Sequence, residues 1–472
     1  MLSDRINGSG MRAHLSSGDW SAAALVAGVV TLVCTLWPYP MPHPCVWQDL
    51  AEASGLRTPS SEFPGLAPFV LRILFGSLGA ESGYAAAILS GHLLAGLTAG
   101  LWCLVFRQLL EFGSLLDMAD RVWNERICPA LSAAGALLVA FSEPVWTSSQ
   151  TFTSAGVDLF LSALAFTFLF RFLARGRRPM GVCAFVLLGM LAAETPFGLI
   201  LLLPMAVLFV LAWRMIDSPE DIEPVLRFPP LEEFPWLLMV VSWIVGAGVT
   251  WAIADSSFRA AGGEIGSPDE VFRAWFNLAK TGTTLPGLGF GLAVTALPLA
   301  VLMALFPRLT HPLSRKPMLV RLLCLLAGLA AAAQLSDVPA LRHRTWSQED
   351  EAVAVTLLPG LLMAAAGAAA VLSAAAFAAM AWCHDTRGGW LVVHVERSLL
   401  CLLVAALVGA AGYGRQCRDT RMKLAKVDAH IVRVLDGCKD TDTIASQGRL
   451  DAMLELRARC LGRKLTITEH GE

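Results

Sequence analysis

The chain is poor in charge. Asp, Glu, Lys and Arg together make up 16% of its 472 residues, against roughly 25% in soluble proteins. Tyrosine is scarcer still, with 3 copies beside 14 Trp and 23 Phe. A soluble protein of this size could not hide a composition that is 56% hydrophobic. The formal net charge of −2 lacks the basic excess that nucleic acid attracts, so no nucleic-acid partner is expected. The 11 cysteines contain no Cys-x-x-Cys pair and no metal-ligand spacing, so no metal site is expected from them. Internal repeats, a Gly-rich phosphate loop in a strand–helix context and low-complexity linkers are all missing.

What the chain has is apolar runs. Mean hydropathy is +0.60, and many runs reach the roughly 20 residues that cross a bilayer. The expected fold class is an all-α polytopic membrane protein of about eleven transmembrane helices with a small α/β C-terminal tail. Residues 1–20 are polar and form a cytoplasmic N-terminal segment. The first span, 21–38, ends in Trp37-Pro38-Tyr39-Pro40, a poor cleavage site that predicts an uncleaved anchor. The first outer loop is 39–82, and within it 66–78 is too short to span and predicts an interfacial helix. Further spans are expected near 83–106, 129–145, 157–173, 180–193, 196–213, 236–254, 285–306, 319–335, 352–382 and 394–414. The transmembrane domain is thus 21–414, and 415–472 is soluble in character.

Basic residues orient the spans. Arg107, Arg121 and Arg126, the cluster Arg171, Arg175, Arg177 and Arg178, and the group Arg308 to Arg321 mark inner loops, which places the N-terminus inside. Eleven spans leave the tail outside, yet Arg415, Arg418, Arg421, Lys423 and Lys426 by the same rule prefer the inside. Within the tail, 441–445 and Leu465 to Thr468 predict strands and Leu450 to Leu461 a helix stopped by Gly462, a single βαβ-like unit. Cys45, Cys417, Cys438 and Cys460 fall in polar segments and leave room for one disulfide without selecting a pairing. His92 lies inside the second span, where a histidine either serves function or bonds a neighbouring helix. Trp146, Trp236, Trp243, Trp251 and Trp275 are expected in interface belts, and the Ala-rich run 364–381 in close helix packing.

The first outer loop carries Trp47-Gln48-Asp49-Leu50-Ala51-Glu52, with Glu62-Phe63-Pro64-Gly65 behind it. A helix beginning near Gln48 puts Asp49 and Glu52 on one face. A carboxylate directly after the first span, followed by an interfacial helix, resembles the GT-C glycosyltransferase superfamily. The closer resemblance is to a bacterial membrane family related to eukaryotic transmembrane protein O-mannosyltransferases, whose first loop tends to read Trp-Asp-Ser-Gly-Glu and then His-Pro-Pro-Gly-Tyr-Pro. Trp47, Asp49 and Glu52 fit with one extra residue, and Pro64, Gly65 and Pro68 fit loosely. Ala140 to Trp146 resembles that family's Phe-Ser-x-x-Phe-Trp turn, and the match covers roughly residues 20–215. This chain departs from the pattern at Ser61-Glu62-Phe63, which lacks the histidine, at Leu50-Ala51 in place of Ser-Gly, and at Glu194-Thr195-Pro196 in place of Asn-His.

The resemblance implies a multi-pass inner-membrane enzyme with a periplasmic active site. It would move a hexose, mannose by analogy, from a polyprenyl-phosphate donor to a protein Ser/Thr hydroxyl or a cell-envelope glycan. It assigns Asp49 as the base that takes the acceptor's proton and Glu52 as the group that orients the acceptor or helps hold a divalent cation. The lipid phosphate that leaves needs positive charge nearby. Arg342, His343 and Arg344 are the outer candidates for it, with Arg259 and Arg273 behind them. Glu62 and Glu194 are further candidates at the substrate, and Asp158 and Glu194 sit near outer span ends. The rival expectations are a secondary transporter or lipid-carrier flippase, and a non-catalytic membrane scaffold. Transporters tend to show midplane charges, whereas the charges here cluster at outer span ends.

Overall fold

A run of 20 residues whose single charge is Asp19 can satisfy its backbone in a bilayer only as a helix, and α1 (Ser17–Leu36) is one. The computed structural model describes residues 17–41, 46–56, 65–113, 128–141, 143–175, 178–194, 236–262, 421–438, 443–445 and 451–468. After α1 come α2 (Trp47–Ala53), α3 (Leu66–Gly113), α4 (Cys128–Ala140), α5 (Glu143–Ser148), α6 (Ser154–Arg175), α7 (Arg178–Glu194) and α8 (Trp236–Ala260). The tail supplies a helix over 421–436, here α9, then β1 (Thr443–Ala445), α10 (Asp451–Cys460) and β2 (Thr466–Thr468). The spans expected at 196–213 and from 285 to 414, the loop 336–351 and the Ala-rich run lie outside the described residues.

Helices α1, α3 and α8 each contain a stretch long and apolar enough to cross a membrane. Their outward side chains are apolar as well: Leu25, Leu32 and Leu36 on α1, Leu89, Leu93 and Leu97 on α3, Leu237, Ile244 and Val249 on α8. Such surfaces suit lipid, not water. Small residues let the backbones meet. A Cβ on Gly96 or Gly100 would press on the Ala27 or Ala23 carbonyl of α1, so α3 descends antiparallel to α1. Gly181 faces Met239 while Gly189 faces Trp243 and Ala247, so α7 and α8 run parallel. Their parallel course puts Glu194 and Trp236 at opposite ends of the bundle. At the end of the bundle where α1 begins, Arg107 Nε donates to Asp19 Oδ1 at 2.7 Å, both side chains being buried, and Arg171 lies 4.9 Å over the Trp20 ring.

The separation of a short helix at 66–78 from the second span is produced by Gly79. Its φ of +79° breaks α3, a conformation that costs glycine little. The first segment then folds back, bringing Phe75 against Gly83. At its start the Leu66 and Ala67 amides donate to Glu194 at the end of α7. Further on, Arg72 donates to Ser257 near the end of α8 at 3.0 Å and lies 5.9 Å over Phe258. Residues 66 and 72 are separated by about 9 Å of helical rise, which matches the roughly 8–10 Å between packed helices. Segment 66–78 is therefore a strap across the adjoining C-terminal ends of α7 and α8.

The tail strands pair in parallel, Ile444 opposite Ile467, with α10 as their crossover. Gly462, at φ +72°, ends α10, and the Gly462 and Arg463 amides return to Arg459 and Ala458 in the hydrogen-bond pattern of a glycine stop. The tail does not stand alone: α10 packs on α2 and α3, and Leu424, Ile431, Leu435, Met453 and Leu454 belong to the same buried core as Trp47 and Leu50. The basic residues at its start favour the inner side, but packing seats the tail on the face that carries α2. Cys438 and Cys460 are free thiols, while Cys45 and Cys417 lie outside the described residues. Burial raises the pKa of the Cys460 thiol, partly offset by Arg457, which keeps it protonated.

One expectation changes in the bundle and another is narrowed. Trp146 is no belt residue: it is buried against Phe141, with ring centroids 5.9 Å apart, because α5 turns it into the core. His92 is buried where α3 meets α1. Its Nδ1 lies 3.5 Å from Thr35 Oγ1 and its carbonyl accepts from Thr31 Oγ1, as expected of a helix-packing histidine.

Candidate functional site

The loop helix α2 begins at Trp47, one residue before the expected start, and turns Trp47, Leu50, Ala51 and Ala53 inward. It is too short to persist in isolation. No side chain caps its first turn. Its end is closed firmly: Gly55, at φ +74°, sends its amide to the Glu52 carbonyl at 3.1 Å, and the Leu56 amide reaches the Ala51 carbonyl at 3.0 Å. This is the Schellman closure that glycine permits. Asp49 lies on α2 one turn before Glu52. Glu52 is buried, 9% exposed, and within electrostatic reach of Arg72 on the strap.

Arg72 is the single charge of segment 66–78. Its Nη1 is spent on Ser257, while its Nε is buried without a partner. A guanidinium held this way has donor capacity left for an anion. Sequence reasoning assigned Arg72 no role. The available signal was a lone charge in an apolar helix, which must find a partner or a ligand.

Glu194 and Asp158 form a second acidic group. Glu194 Oε2 accepts from the Leu66 amide at 2.6 Å and Oε1 from the Ala67 amide at 3.4 Å. Gly65 permits the approach, since a Cβ there would stand 3.2 Å from Oε1. Asp158, on the second turn of α6, is 9% exposed, its Oδ1 has no partner, and it feels the charge of Glu194. The start of α6 and the end of α7 thus bring two carboxylates to the start of the strap, where the helix dipole favours negative charge.

The tail touches the same face. Trp47 stacks on Tyr84 at 6.1 Å, Arg457 lies 5.8 Å over the Tyr84 ring, and Asp428 of α9 holds Arg457 at 2.8 Å. Arg459 Nη1 donates to the Ser54 carbonyl, at the end of α2, at 2.9 Å. The structure therefore joins Glu52 to Arg72, and Glu194 to Asp158. Glu62, Arg342, His343 and Arg344 lie outside the described residues. Among the described residues no three His, Cys, Asp or Glu side chains gather in a way that could hold a metal ion.

No protein-family model matches the chain, and no curated protein sequence matches it. Solved structures do. ArnT from Cupriavidus metallidurans bound to undecaprenyl phosphate superposes with a TM-score of 0.52 at 12% identity, over 97% of this chain and 87% of that one. The apo state of the same protein gives 0.51 at 13% identity, over 96% and 86%. At such identity the likeness is one of fold, and it extends over nearly the whole chain. This protein is a multi-pass, mostly helical membrane protein with the fold of ArnT.

Proposed function

We propose that the chain is a membrane glycosyltransferase that takes a sugar from a polyprenyl-phosphate carrier. ArnT, whose fold it shares, is a GT-C glycosyltransferase and was solved with undecaprenyl phosphate bound. The observation that carries the reading is the meeting of α2 with the strap. A carboxylate-bearing helix and a guanidinium with an unused donor share the outer face, Glu52 lying within electrostatic reach of Arg72.

The chemistry uses both. The acceptor hydroxyl attacks the anomeric carbon, the bond from that carbon to the phosphate oxygen breaks, and the lipid phosphate leaves. Asp49 accepts the hydroxyl proton, a role worth about 10²–10⁴-fold in such reactions. Glu52 orients the acceptor. Arg72 stabilises the phosphate as its charge develops, joined by Arg342, His343 and Arg344, and Glu62 and Glu194 border the substrate. Attack opposite the leaving phosphate inverts the anomeric centre. Where a divalent cation takes part at the leaving phosphate, Glu52 is the residue that would help hold it. The donor sugar in this reading is a hexose, mannose by analogy, and the acceptor a protein Ser/Thr hydroxyl or a cell-envelope glycan at the periplasmic face of the inner membrane. The transporter alternative leans on His92, which has Thr31 and Thr35 of α1 as its neighbours in a helix contact.

The test is sugar transfer from a panel of polyprenyl-phosphate hexoses to envelope extracts, comparing the parent with Asp49→Asn at matched membrane expression. Transfer that collapses by about 10²–10⁴-fold in the variant supports the reading and its base together. Transfer that survives keeps the enzyme and removes Asp49 from the role. Failure of the parent with every donor counts against the glycosyltransferase.

A further inference from the structure

We propose that the C-terminal tail is a clamp on the loop helix α2, with Arg457 and Arg459 as positioning residues that hold Asp49 and Glu52 in place. The proposal rests on the glycosyltransferase reading for its catalytic meaning, but the clamp itself is a statement about structure.

The argument starts from the weakness of α2. Seven residues are too few to hold a helix on their own, and α2 has no side-chain cap at its start. Its order must come from what it packs against, and its neighbours are α3 and α10. The tail meets both of its ends. At the start, Trp47 is 1% exposed and stacks on Tyr84, which in turn receives the Arg457 guanidinium over its ring. Arg457 is itself fixed by Asp428 on α9, so the relay Asp428–Arg457–Tyr84–Trp47 runs from the tail's own core to the first residue of α2. At the far end, Arg459 donates to the carbonyl of Ser54, the residue that follows Ala53 and caps the helix. Arg457 and Arg459 lie two residues apart on α10, and together they reach α2 across its length. A guanidinium between a carboxylate and an aromatic ring is a rigid connector, because both contacts fix its plane.

The consequence is catalytic geometry. A general base must sit within hydrogen-bond reach of the proton it takes, and small displacements of such groups cost large factors in rate. Asp49 and Glu52 lie between the two points where the tail grips.

The experiment is hydrogen exchange on the full-length protein in detergent, followed over residues 46–56, for the parent, Arg457→Ala, Arg459→Ala and Tyr84→Leu. Tyr84→Leu cuts the relay without touching the Asp428–Arg457 pair, so it probes the clamp even where Arg457→Ala loosens the tail itself. Exchange in 46–56 is expected to rise on the order of ten-fold in Tyr84→Leu and Arg457→Ala, and less in Arg459→Ala, whose bond is exposed. Unchanged exchange in 46–56 for Tyr84→Leu, or for Arg457→Ala with 421–438 and 451–468 still protected, overturns the clamp. Transfer kinetics add the positioning test: kcat falls while KM for the donor holds, and Arg457→Lys, which keeps a cation over the ring, recovers part of the loss. A fall in donor affinity with kcat preserved would make the tail a binding element and overturn the positioning role. If no donor supports transfer, the glycosyltransferase reading fails, and the exchange result still decides the clamp.

Discussion

Replacing Glu194 with alanine should loosen the strap. In the parent, the two amides that open segment 66–78 both donate to this carboxylate, Leu66 at 2.6 Å and Ala67 at 3.4 Å. The first is a short, charge-assisted bond, worth about 1.5–3 kcal/mol; the second is long and adds little. Losing a capping side chain from a helix start costs about 0.5–2 kcal/mol by itself, so the expected loss is on the order of 2 kcal/mol. An opposing effect has to be weighed. Asp158 lies close enough to feel Glu194, and two buried carboxylates repel. Alanine removes that repulsion along with the cap.

Glu194→Gln separates the two effects. The amide oxygen still accepts from Leu66, while the negative charge is gone. Exchange of the amides at the start of the strap should therefore rise about ten- to hundredfold in Glu194→Ala and stay within about threefold of the parent in Glu194→Gln. The measurement is hydrogen exchange over residues 65–72, with α8 as the internal control. Equal loosening by both variants would show that charge, not the acceptor, holds the strap. No change in either would show that Arg72, bonded to Ser257 at the other end, suffices alone, and the capping argument would be refuted.

The end of the bundle where α1 begins offers a sharper stability effect. Asp19→Ala leaves the Arg107 guanidinium buried without its 2.7 Å partner, which should cost about 3–5 kcal/mol and lower the thermal midpoint in detergent; Asp19→Ala with Arg107→Met should recover part of it. Sidedness is testable with an impermeant thiol reagent: Lys423→Cys, exposed on α9, and Ser54→Cys should be labelled from the same face of oriented vesicles. Labelling from opposite faces would refute the seating of the tail on α2.

Much of the helical framework was legible because lipid imposes one rule on every crossing segment: long, apolar and internally bonded. The starts and ends of α6, α7 and α8 follow from it within a few residues of expectation. The division at Gly79 was legible for a different reason, since segment 66–78 is too short to span and carries Arg72. Helix α9 was missed. Arg421, Lys423 and Lys426 served only to orient the tail, yet Leu424, Ile431 and Leu435 recur at helical spacing on the buried side. The signal was there, masked by exposed charge at the helix start. The burial of Trp146 was not legible, because α5 is one short turn whose direction depends on α4 and α6.

The face that carries α2 shows why composition could not reveal these contacts. Glu52, Arg72, Asp158, Glu194, Asp428 and Arg457 come from six separate elements, and no window along the chain contains more than one of these contacts. Spacing could place Asp49 and Glu52 on one helix face, because that is local geometry. It could not show what steadies a seven-residue helix, because the answer lies some 400 positions away in Arg457 and Arg459. Scarcity was the one long-range hint. The chain has 3 tyrosines, and two of them, Tyr39 and Tyr84, flank the first outer loop. Tyr39 is buried, its amide donating to Gln150 Oε1 at 2.8 Å, and Tyr84 links Trp47 to Arg457. Where phenylalanine would serve for packing alone, a phenol-bearing ring at the water-facing end of a span offers an apolar body with a polar tip. That is the kind of side chain needed between a buried tryptophan and an arginine, and its position is where membrane domain, loop helix and tail must meet.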